Sequence, residues 1–187
     1  MQDSIATDEK VVLHVGCGPQ RSAALNPAYQ KPGWREIRLD IDPQTKPDVV
    51  ASMTNMSAIE SGSVDAVWTS HSLEHLNAHE VPMALSEFHR VLRTGGHMLA
   101  RLPDIQQAAE LLLRLGPNGV IYDSPSGPIT PLDMIFGHID SIRLGITSMQ
   151  HKTGFTGQTL GEALTAAGFR VVKVQRKGYD LWARAQK

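Results

Sequence analysis

A glycine-rich turn is the first place where this sequence could bind a ligand. Gly16, Cys17 and Gly18 follow the apolar run 11–15, which is typical of a buried strand. Glycine in such a turn lets the backbone approach a ligand that a side chain would block. A dinucleotide-binding turn needs a further glycine where this chain has Arg21, and no Lys–Ser/Thr pair of a P-loop follows. The turn therefore favours an adenosyl ligand without phosphates over NAD or ATP.

Polar residues also stand where the next predicted strands end. In open parallel sheets, ligands bind beyond the carboxyl ends of the strands. Asp40 ends the second predicted strand, where a carboxylate can accept hydrogen bonds from two ribose hydroxyls. The alternative role of Asp40 is to cap a turn, because Asp42 and Pro43 resemble the start of one. The later strand ends carry Ser52 and Met53, then Ser70 and His71, then Asp104.

Three histidines, His71, His75 and His79, recur at intervals of four, and the first two fit a His-x-x-Glu-His metal-binding pattern. Two histidines at this spacing on a helix can share a zinc ion. The pattern begins at the end of a predicted strand and soon reaches Pro82, so a long helix is not expected. The sequence therefore predicts a loop and a short helix here, and no metal site.

Composition limits the classes of protein to which the chain can belong. Its 187 residues suit one domain, and its hydrophobic content of 41% excludes a disordered chain. The net charge of −1 indicates neither nucleic acid nor an anionic membrane as a partner. The single cysteine, Cys17, excludes an internal disulfide and favours a reducing cytoplasm. Residues 1–9 are polar and predict a flexible N-terminus without a signal peptide.

Short apolar runs alternate with helical patterns, which predicts an α/β fold with a Rossmann-like, mostly parallel sheet of seven strands and helices on both faces. Two close strands joined at Lys177 and Gly178 predict an antiparallel C-terminal hairpin at the sheet edge. A helix is expected from Gln20 to Gln30. The expected strands are residues 11–15, 36–39, 48–51, 64–69, 97–102, 169–175 and 179–185, with helices near 81–92, after 103 and at 158–167.

Residues 116–153 differ from the rest of the chain because they are rich in glycine and proline. A connection this long within one domain is usually a functional insertion. We expect a lid or substrate-recognition segment, with a short helix at residues 132–139, inside a single domain of residues 10–187. The alternative is a surface excursion that only covers the sheet.

Five motifs occur in one order along the chain. They are residues 13–19 with the glycine turn, 39–42 around Asp40, 63–76 with the fourth strand and its loop, 90–96 before the fifth strand, and 154–169. Together they resemble the motifs of class I S-adenosylmethionine-dependent methyltransferases, over most of the chain. Within that superfamily the chain is similar to a small bacterial group that starts with Leu-x-x-Gly-Cys-Gly-Pro and whose acceptors are mostly unassigned.

The resemblance implies S-adenosylmethionine as cofactor and S-adenosylhomocysteine as product. Gly16 and Gly18 would pass beneath the methionine part, Asp40 would hold the ribose, and Met53 would pack on the adenine. His14 stands where the family usually has an acid, Gln20 replaces a third glycine, and Ser52 replaces an adenine-facing acid of many members. The implied cofactor-binding residues are His14, Gly16, Cys17, Gly18, Asp40, Ile41, Ser52, Met53, Ser70 and His71.

Methyl transfer is an in-line displacement for which the protein mainly supplies alignment. A hydroxyl or amine acceptor also needs a general base. His71 is the first candidate for that base, because histidine ordinarily titrates near neutrality. Asp104 and His151 are the reserve candidates.

The expected activity is methyl transfer to a small molecule or a terminal glycan group. We expect a cytoplasmic bacterial protein, a monomer or homodimer, that binds neither nucleic acid nor a membrane. The run Thr69-Ser70-His71-Ser72 replaces the Asn/Asp-Pro-Pro-Tyr motif of enzymes that methylate amino groups of bases or glutamine. One alternative is a non-catalytic binding module, favoured by His14 and Gln20. Another is a nicotinamide oxidoreductase, which Arg21 disfavours.

Overall fold

A seven-stranded sheet organises the computed structural model, which describes residues 9–19 and 25–187. Of the predicted flexible N-terminus at residues 1–9, all but Glu9 lies outside the described residues. The strands in the described ranges are β1 (Lys10–Val15), β2 (Trp34–Asp40), β3 (Val49–Val50), β4 (Val64–Ser70), β5 (Leu92–Pro103), β6 (Tyr122–Ser124), β7 (Gly127–Ile129), β8 (Arg170–Lys177) and β9 (Asp180–Gln186).

The strand order in the main sheet is β3-β2-β1-β4-β5-β9-β8, and the first five of these strands run parallel. Strand β1 lies between β2 and β4, and its side chains enter the cores on both faces of the sheet. Its residues Val12, Leu13 and Val15 are fully buried, as expected for the continuous apolar run of a central parallel strand. The carboxyl ends of β1, β2, β4 and β5 meet at one edge, where ligands bind in such sheets.

The C-terminal hairpin is confirmed, and its register places an acid at this edge. Strand β9 is antiparallel to both β5 and β8, and β8 forms the sheet edge. The register pairs Pro103 with Asp180. Asp180 therefore begins β9 next to the carboxyl end of β5. These strands confirm the predicted Rossmann-like α/β sheet.

The helices in the described part of the chain are α1 (Val81–Val91), α2 (Ile105–Leu115), α3 (Pro131–Phe136), α4 (Ile139–Arg143) and α5 (Gly157–Ala166). The faces of α1 and α5 that contain Leu85, Phe88, Leu160 and Leu164 are buried in the main core with the strands. The other face of the sheet holds a cluster of Tyr29, Trp34, Trp68 and Trp182. No helix in the described ranges is long and apolar enough to cross a membrane.

The sequence predicted a helix from Gln20 to Gln30, but the described residues of this segment do not form it. Residues 20–24 lie outside the described ranges, and Pro27–Tyr29 form a single 3₁₀ turn. Asn26 caps this turn by accepting a hydrogen bond from the backbone N–H of Ala28, 2.9 Å away. A proline directly after a cap starts a new turn and does not continue an earlier helix.

The segment 116–153 folds into a hairpin of β6 and β7, helices α3 and α4, and a 3₁₀ turn at Thr147–Met149. The predicted helix at 132–139 is present as α3, which is shorter. Thr130 and Asp133 form a capping box at its start, and Gly137, with a φ of +93°, ends it. Met134 of α3 packs against Leu111 of α2 in a separate small core. The segment is thereby fixed over the carboxyl edge of the sheet.

Candidate functional site

The glycine turn after β1 is held against two neighbouring segments. Gly16 and Gly18 have φ values of +66° and +57°, which favour glycine. The backbone N–H groups of Gly16 and Cys17 donate to the Leu39 carbonyl at 2.9 and 3.1 Å. A Cβ on Gly16 would lie 2.2 Å from Ser72 Oγ. The turn therefore contacts the end of β2 on one side and the loop after β4 on the other.

Asp40 supports the turn from the end of β2. Its Oδ2 accepts from the Gly18 N–H at 2.8 Å, and its Oδ1 accepts from the Asp42 N–H at 2.9 Å. The 3₁₀ turn Pro43–Thr45 is capped by Asp42, not by Asp40. Each carboxylate oxygen can accept more than one hydrogen bond. Asp40 thus keeps acceptor capacity beside the glycine turn.

The surroundings of Asp40 fit the adenosyl group that the sequence predicts. Ile41 follows it with 71% of its side chain exposed, which leaves an apolar surface beside the carboxylate. Met53 is half-buried against the main core, and Ser52 Oγ bonds with Thr54 Oγ1 at 2.8 Å. A ribose needs hydrogen-bond acceptors and an adenine needs apolar surface. The consecutive residues Asp40 and Ile41 supply the acceptor and the apolar surface, respectively.

His14 and Cys17 have different roles near the turn. His14 is 1% exposed, and its Nδ1 donates to Glu36 Oε1 at 2.7 Å. Burial lowers the pKa of His14, although Glu36 acts in the opposite direction. Its Nε2 has no hydrogen-bond partner among the described residues, so a neutral His14 keeps one acceptor free. Cys17 is fully buried, and burial raises the pKa of its thiol, so its side chain serves packing.

A cavity of about 220 Å³ lies between the carboxyl edge of the sheet and the segment 116–153. The sheet side supplies His71, Pro103 and Asp180, and the inserted segment supplies the opposite wall. A larger groove of about 700 Å³ lies along α5 and β8. Its lining has Glu162 as its one charged residue, and no strand end of the parallel sheet contributes to it. The smaller cavity is therefore the candidate site. Its inserted wall includes Tyr122, Ile129, Asp133, Met134, His138, Met149 and His151.

His71 is held in an unusual conformation at the mouth of β4. Its φ is +50°, a region in which residues other than glycine are uncommon and often functional. Its Nδ1 lies 3.4 Å from Glu74 Oε1, and its Nε2 lies 3.7 Å from Asp180 Oδ1. Burial favours the neutral ring, but Glu74 and Asp180 raise the pKa of His71 above its ordinary value. The ring has 40% of its surface exposed.

Two acids support His71. Glu74 is 2% exposed, and although burial alone would raise its pKa, His71 and His75 hold that pKa below its ordinary value. Asp180 is fixed by Arg101, whose Nε donates to Oδ2 at 2.7 Å. Ser70, at the end of β4, accepts from Ser72 Oγ at 3.2 Å through its carbonyl. His71 thus lies between two carboxylates and faces the cavity.

The reserve candidates Asp104 and His151 lie in different surroundings. Asp104 is 1% exposed, caps α2 by accepting from Gln106 and Gln107, and pairs with Arg176. Its oxygens are engaged in these contacts and Asp104 does not line the cavity, which favours a structural role over the predicted catalytic one. His151 lines the cavity, and its Nδ1 donates to the Met134 carbonyl at 3.0 Å. Burial lowers the pKa of His151.

The series His71, His75 and His79 does not share one helix. Leu73–His75 form a 3₁₀ turn, and α1 begins only at Val81, which confirms the predicted loop and short helix. His71 and His75 line the cavity, whereas His79 is exposed and does not. Sequence reasoning missed Glu74 and Asp180 as partners of His71. The His-x-x-Glu-His pattern contained a signal for Glu74, but only the hairpin register reveals Asp180.

Comparison with known proteins agrees with this geometry. Residues 13–100 match the model of a methyltransferase domain. This segment contains the glycine turn, Asp40 and His71, and the match indicates S-adenosylmethionine as the cofactor of the family. No curated protein matches the chain. By its fold and by this match over residues 13–100, the chain is similar to the class I S-adenosylmethionine-dependent methyltransferases.

Solved structures with the same fold cover nearly the whole chain. A methyltransferase from Archaeoglobus fulgidus matches at 18% identity and a TM-score of 0.60, over 95% of this chain and 86% of that one. A methyltransferase from Methanosarcina mazei matches at 16% identity and a TM-score of 0.62, over 96% of this chain and 93% of that one. The 1,6-didemethyltoxoflavin-N1-methyltransferase of Burkholderia thailandensis was solved with S-adenosylhomocysteine. It matches at 19% identity and a TM-score of 0.58, over 95% of this chain and 70% of that one. At these identities the likeness establishes the fold.

Proposed function

We propose that this protein transfers a methyl group from S-adenosylmethionine to a small molecule or to the terminal group of a glycan. One observation carries the proposal. The glycine turn contacts Ser72, the residue directly after His71, and His71 lines the 220 Å³ cavity. The corner that suits the cofactor and the cavity that suits an acceptor therefore adjoin each other.

The cofactor would be held by the turn and by the ends of β1 and β2. The positive φ values of Gly16 and Gly18 shape the turn that would pass beneath the methionine part, and Cys17 supports the turn from the core. Asp40 accepts from the ribose hydroxyls, while Ile41 and Met53 contact the adenine, with Ser52 beside it. The Nε2 of His14 is buried and has no partner among the described residues, and it stands as an acceptor at the position where the family generally uses an acid. Ser70 and His71 close the site near the sulfonium.

His71 is the proposed general base. Bound S-adenosylmethionine supplies an electrophilic methyl group on its sulfonium. His71 can take the proton of an acceptor hydroxyl or amine, because its ring is partly exposed at the cavity. Glu74 and Asp180 fix the orientation of the ring and balance the charge that it gains. His151 also lines the cavity and is the reserve candidate that the cavity includes.

The cavity favours a small acceptor or a single terminal group. Drug-sized ligands usually occupy about 300–1,000 Å³, so a cavity of about 220 Å³ admits only a small group. Tyr122 of the inserted segment stacks on Tyr179 at 5.3 Å between ring centroids, which joins that segment to the C-terminal hairpin. We propose that segment 116–153 acts as the lid and recognises the acceptor. The unpaired, buried Cys17 also supports a cytoplasmic location.

Cofactor binding is the test of this proposal. Thermal unfolding is measured with S-adenosylmethionine, S-adenosylhomocysteine or NAD, for the wild type, Asp40→Asn and the neighbouring exposed Asp42→Asn. A ligand at about 100 times its Kd adds about 2.7 kcal/mol to the free energy of unfolding. For a chain of this size, that raises the Tm by about 5–10 °C.

We expect both adenosyl compounds to raise the Tm of the wild type and of Asp42→Asn, and NAD to have no effect. Asp40→Asn should lose most of the shift, measured against its own unliganded Tm. No shift in the wild type would contradict the proposal. Binding without turnover in an acceptor screen would instead support a non-catalytic binding module.

A further inference from the structure

A buried carboxylate beside the cavity has unused binding capacity. Glu74 is 2% exposed, yet neither carboxylate oxygen has a hydrogen-bond partner among the described residues. Its ion pair with His71 is 3.4 Å long and engages only Oε1. A buried carboxylate is costly unless it is paired or coordinates a metal ion. The surroundings of Glu74 therefore point to a further ligand.

Two histidines lie next to this carboxylate. One ligand atom each of Glu74, His75 and His151 lie within 4.8 Å of one another, and the two imidazole rings are 5.1 Å apart between centroids. His75 Nδ1 contacts the Gln150 carbonyl at 2.9 Å, and His151 Nδ1 contacts the Met134 carbonyl at 3.0 Å. A carbonyl only accepts, so each Nδ1 carries the proton and each Nε2 keeps a free lone pair. Histidines that bind metals are usually fixed in this way.

The backbone holds the three residues together. The N–H groups of Lys152 and Thr153 both donate to the Glu74 carbonyl, at 2.8 and 3.2 Å. His151 N–H donates to the Phe136 carbonyl at 3.0 Å. With the contact between His75 and Gln150, these bonds attach residues 150–153 to the turn at Leu73–His75. Two distant segments therefore present their side chains to one point.

We propose that Glu74, His75 and His151 bind one divalent metal ion of the zinc type, and we use zinc as the reference ion in the test. Two imidazoles and a carboxylate form the donor set of several catalytic zinc sites, and imidazole selects zinc and its neighbours over magnesium or calcium. Zinc ligands at about 2.0–2.2 Å lie about 3.4 Å apart, so ligand atoms that now lie within 4.8 Å of one another need to approach by at most about 1.4 Å. His75 and His151 line the cavity, so the proposed metal site lies at its wall.

Metal binding is measured directly and does not depend on methyl transfer. Protein treated with a chelator and dialysed is titrated with Zn²⁺, Co²⁺ and Mg²⁺. A chromophoric chelator competes for zinc, and the visible spectrum of Co²⁺ reports its coordination. The variants are Glu74→Gln, His75→Gln and His151→Gln, and the matched control is the exposed His79→Gln.

We expect one equivalent of zinc in the wild type and in His79→Gln. Each ligand variant should bind zinc about 100-fold or more weakly than the wild type. Removing only the hydrogen-bond partner of a metal ligand already lowers metal affinity about 10–100-fold, and these variants remove the ligand itself. His75→Gln and His151→Gln keep the result interpretable if Glu74→Gln fails to fold. Zinc binding that is absent in the wild type, or equal in all variants, would overturn the proposal. A zinc-binding protein without methyl transfer would overturn only the proposed function.

Discussion

Gly16 lies so close to Ser72 that a Cβ on the glycine would stand 2.2 Å from Ser72 Oγ and 2.9 Å from its Cβ. Ser72 is buried, so its side chain has little room to move away. This contact joins the turn after β1 to the loop that contains His71. The absence of a side chain at position 16 therefore sets the distance between the two halves of the site.

Replacing Gly16 by alanine should destabilise the protein more than backbone strain alone explains. Gly178 is a matched control, because its φ of +64° is close to the +66° of Gly16, but a Cβ added to Gly178 would have no neighbour within 4 Å. We expect Gly178→Ala to cost about 1–2 kcal/mol, the strain of the left-handed region. Gly16→Ala should add about 1–3 kcal/mol of overpacking. Urea unfolding of both variants measures the difference, and equal losses would mean that the contact with Ser72 relaxes freely.

Removing His71 should slow turnover and leave cofactor affinity largely intact. Asparagine is the suitable replacement, because it tolerates the φ of +50° better than alanine does. Loss of a general base typically lowers the rate by about 100-fold or more. The measurements are kcat with an identified acceptor and the Kd for S-adenosylhomocysteine. Unchanged kcat in His71→Asn would remove His71 from the mechanism, and a large loss of affinity would assign it to the cofactor instead.

The sequence predicted the glycine turn and the strand end at Asp40 better than the cavity around His71, and the reason is physical. The turn at Gly16 and the end of β2 at Asp40 follow from local patterns on adjacent strands. The approach of His151 to Glu74 depends on how segment 116–153 folds, which no local pattern specifies. The contact of Asp180 with His71 depends on the register of β9 against β5. Asp104 is a different case, because an acid directly before an amphipathic helix is a recognisable cap.

The protein should lose stability in acid, in part through His97. Tyr29 Oη and His97 Nε2 form a hydrogen bond of 3.0 Å, and the arrangement in which Tyr29 donates requires the neutral ring. Burial, with help from Arg184, lowers the pKa of His97 below 6.5. The unfolded chain therefore binds a proton before the folded chain does, and stability falls as the pH drops below about 6.5.

His97→Gln should reduce this acid sensitivity, since a glutamine oxygen can still accept from Tyr29 but does not titrate. The exposed His79→Gln is the control. Urea unfolding between about pH 7 and pH 5 gives the slope of stability against pH for each protein. His14 and His151, whose pKa values are also lowered, should leave a residual slope in His97→Gln. An identical slope in all three proteins would rule out the contribution of His97.

Asp104 should matter for stability and not for the chemical step. Its side chain is 1% exposed, accepts from the first turn of α2 and pairs with Arg176 of β8. Asp104→Asn removes the charge from this contact but retains one oxygen for the cap, so we expect a loss of about 1–3 kcal/mol. A double-mutant cycle with Arg176→Gln should give a coupling of about 0.5–3 kcal/mol, because the two groups are in direct contact.

The kinetic measurement separates this role from catalysis. Because the oxygens of Asp104 are engaged away from the cavity, folded Asp104→Asn should retain the kcat of the wild type at a temperature well below its Tm. A fall in kcat comparable to that of His71→Asn, in protein that is fully folded, would instead support Asp104 as a catalytic base. Loss of stability without coupling to Arg176 would assign its whole effect to the cap of α2.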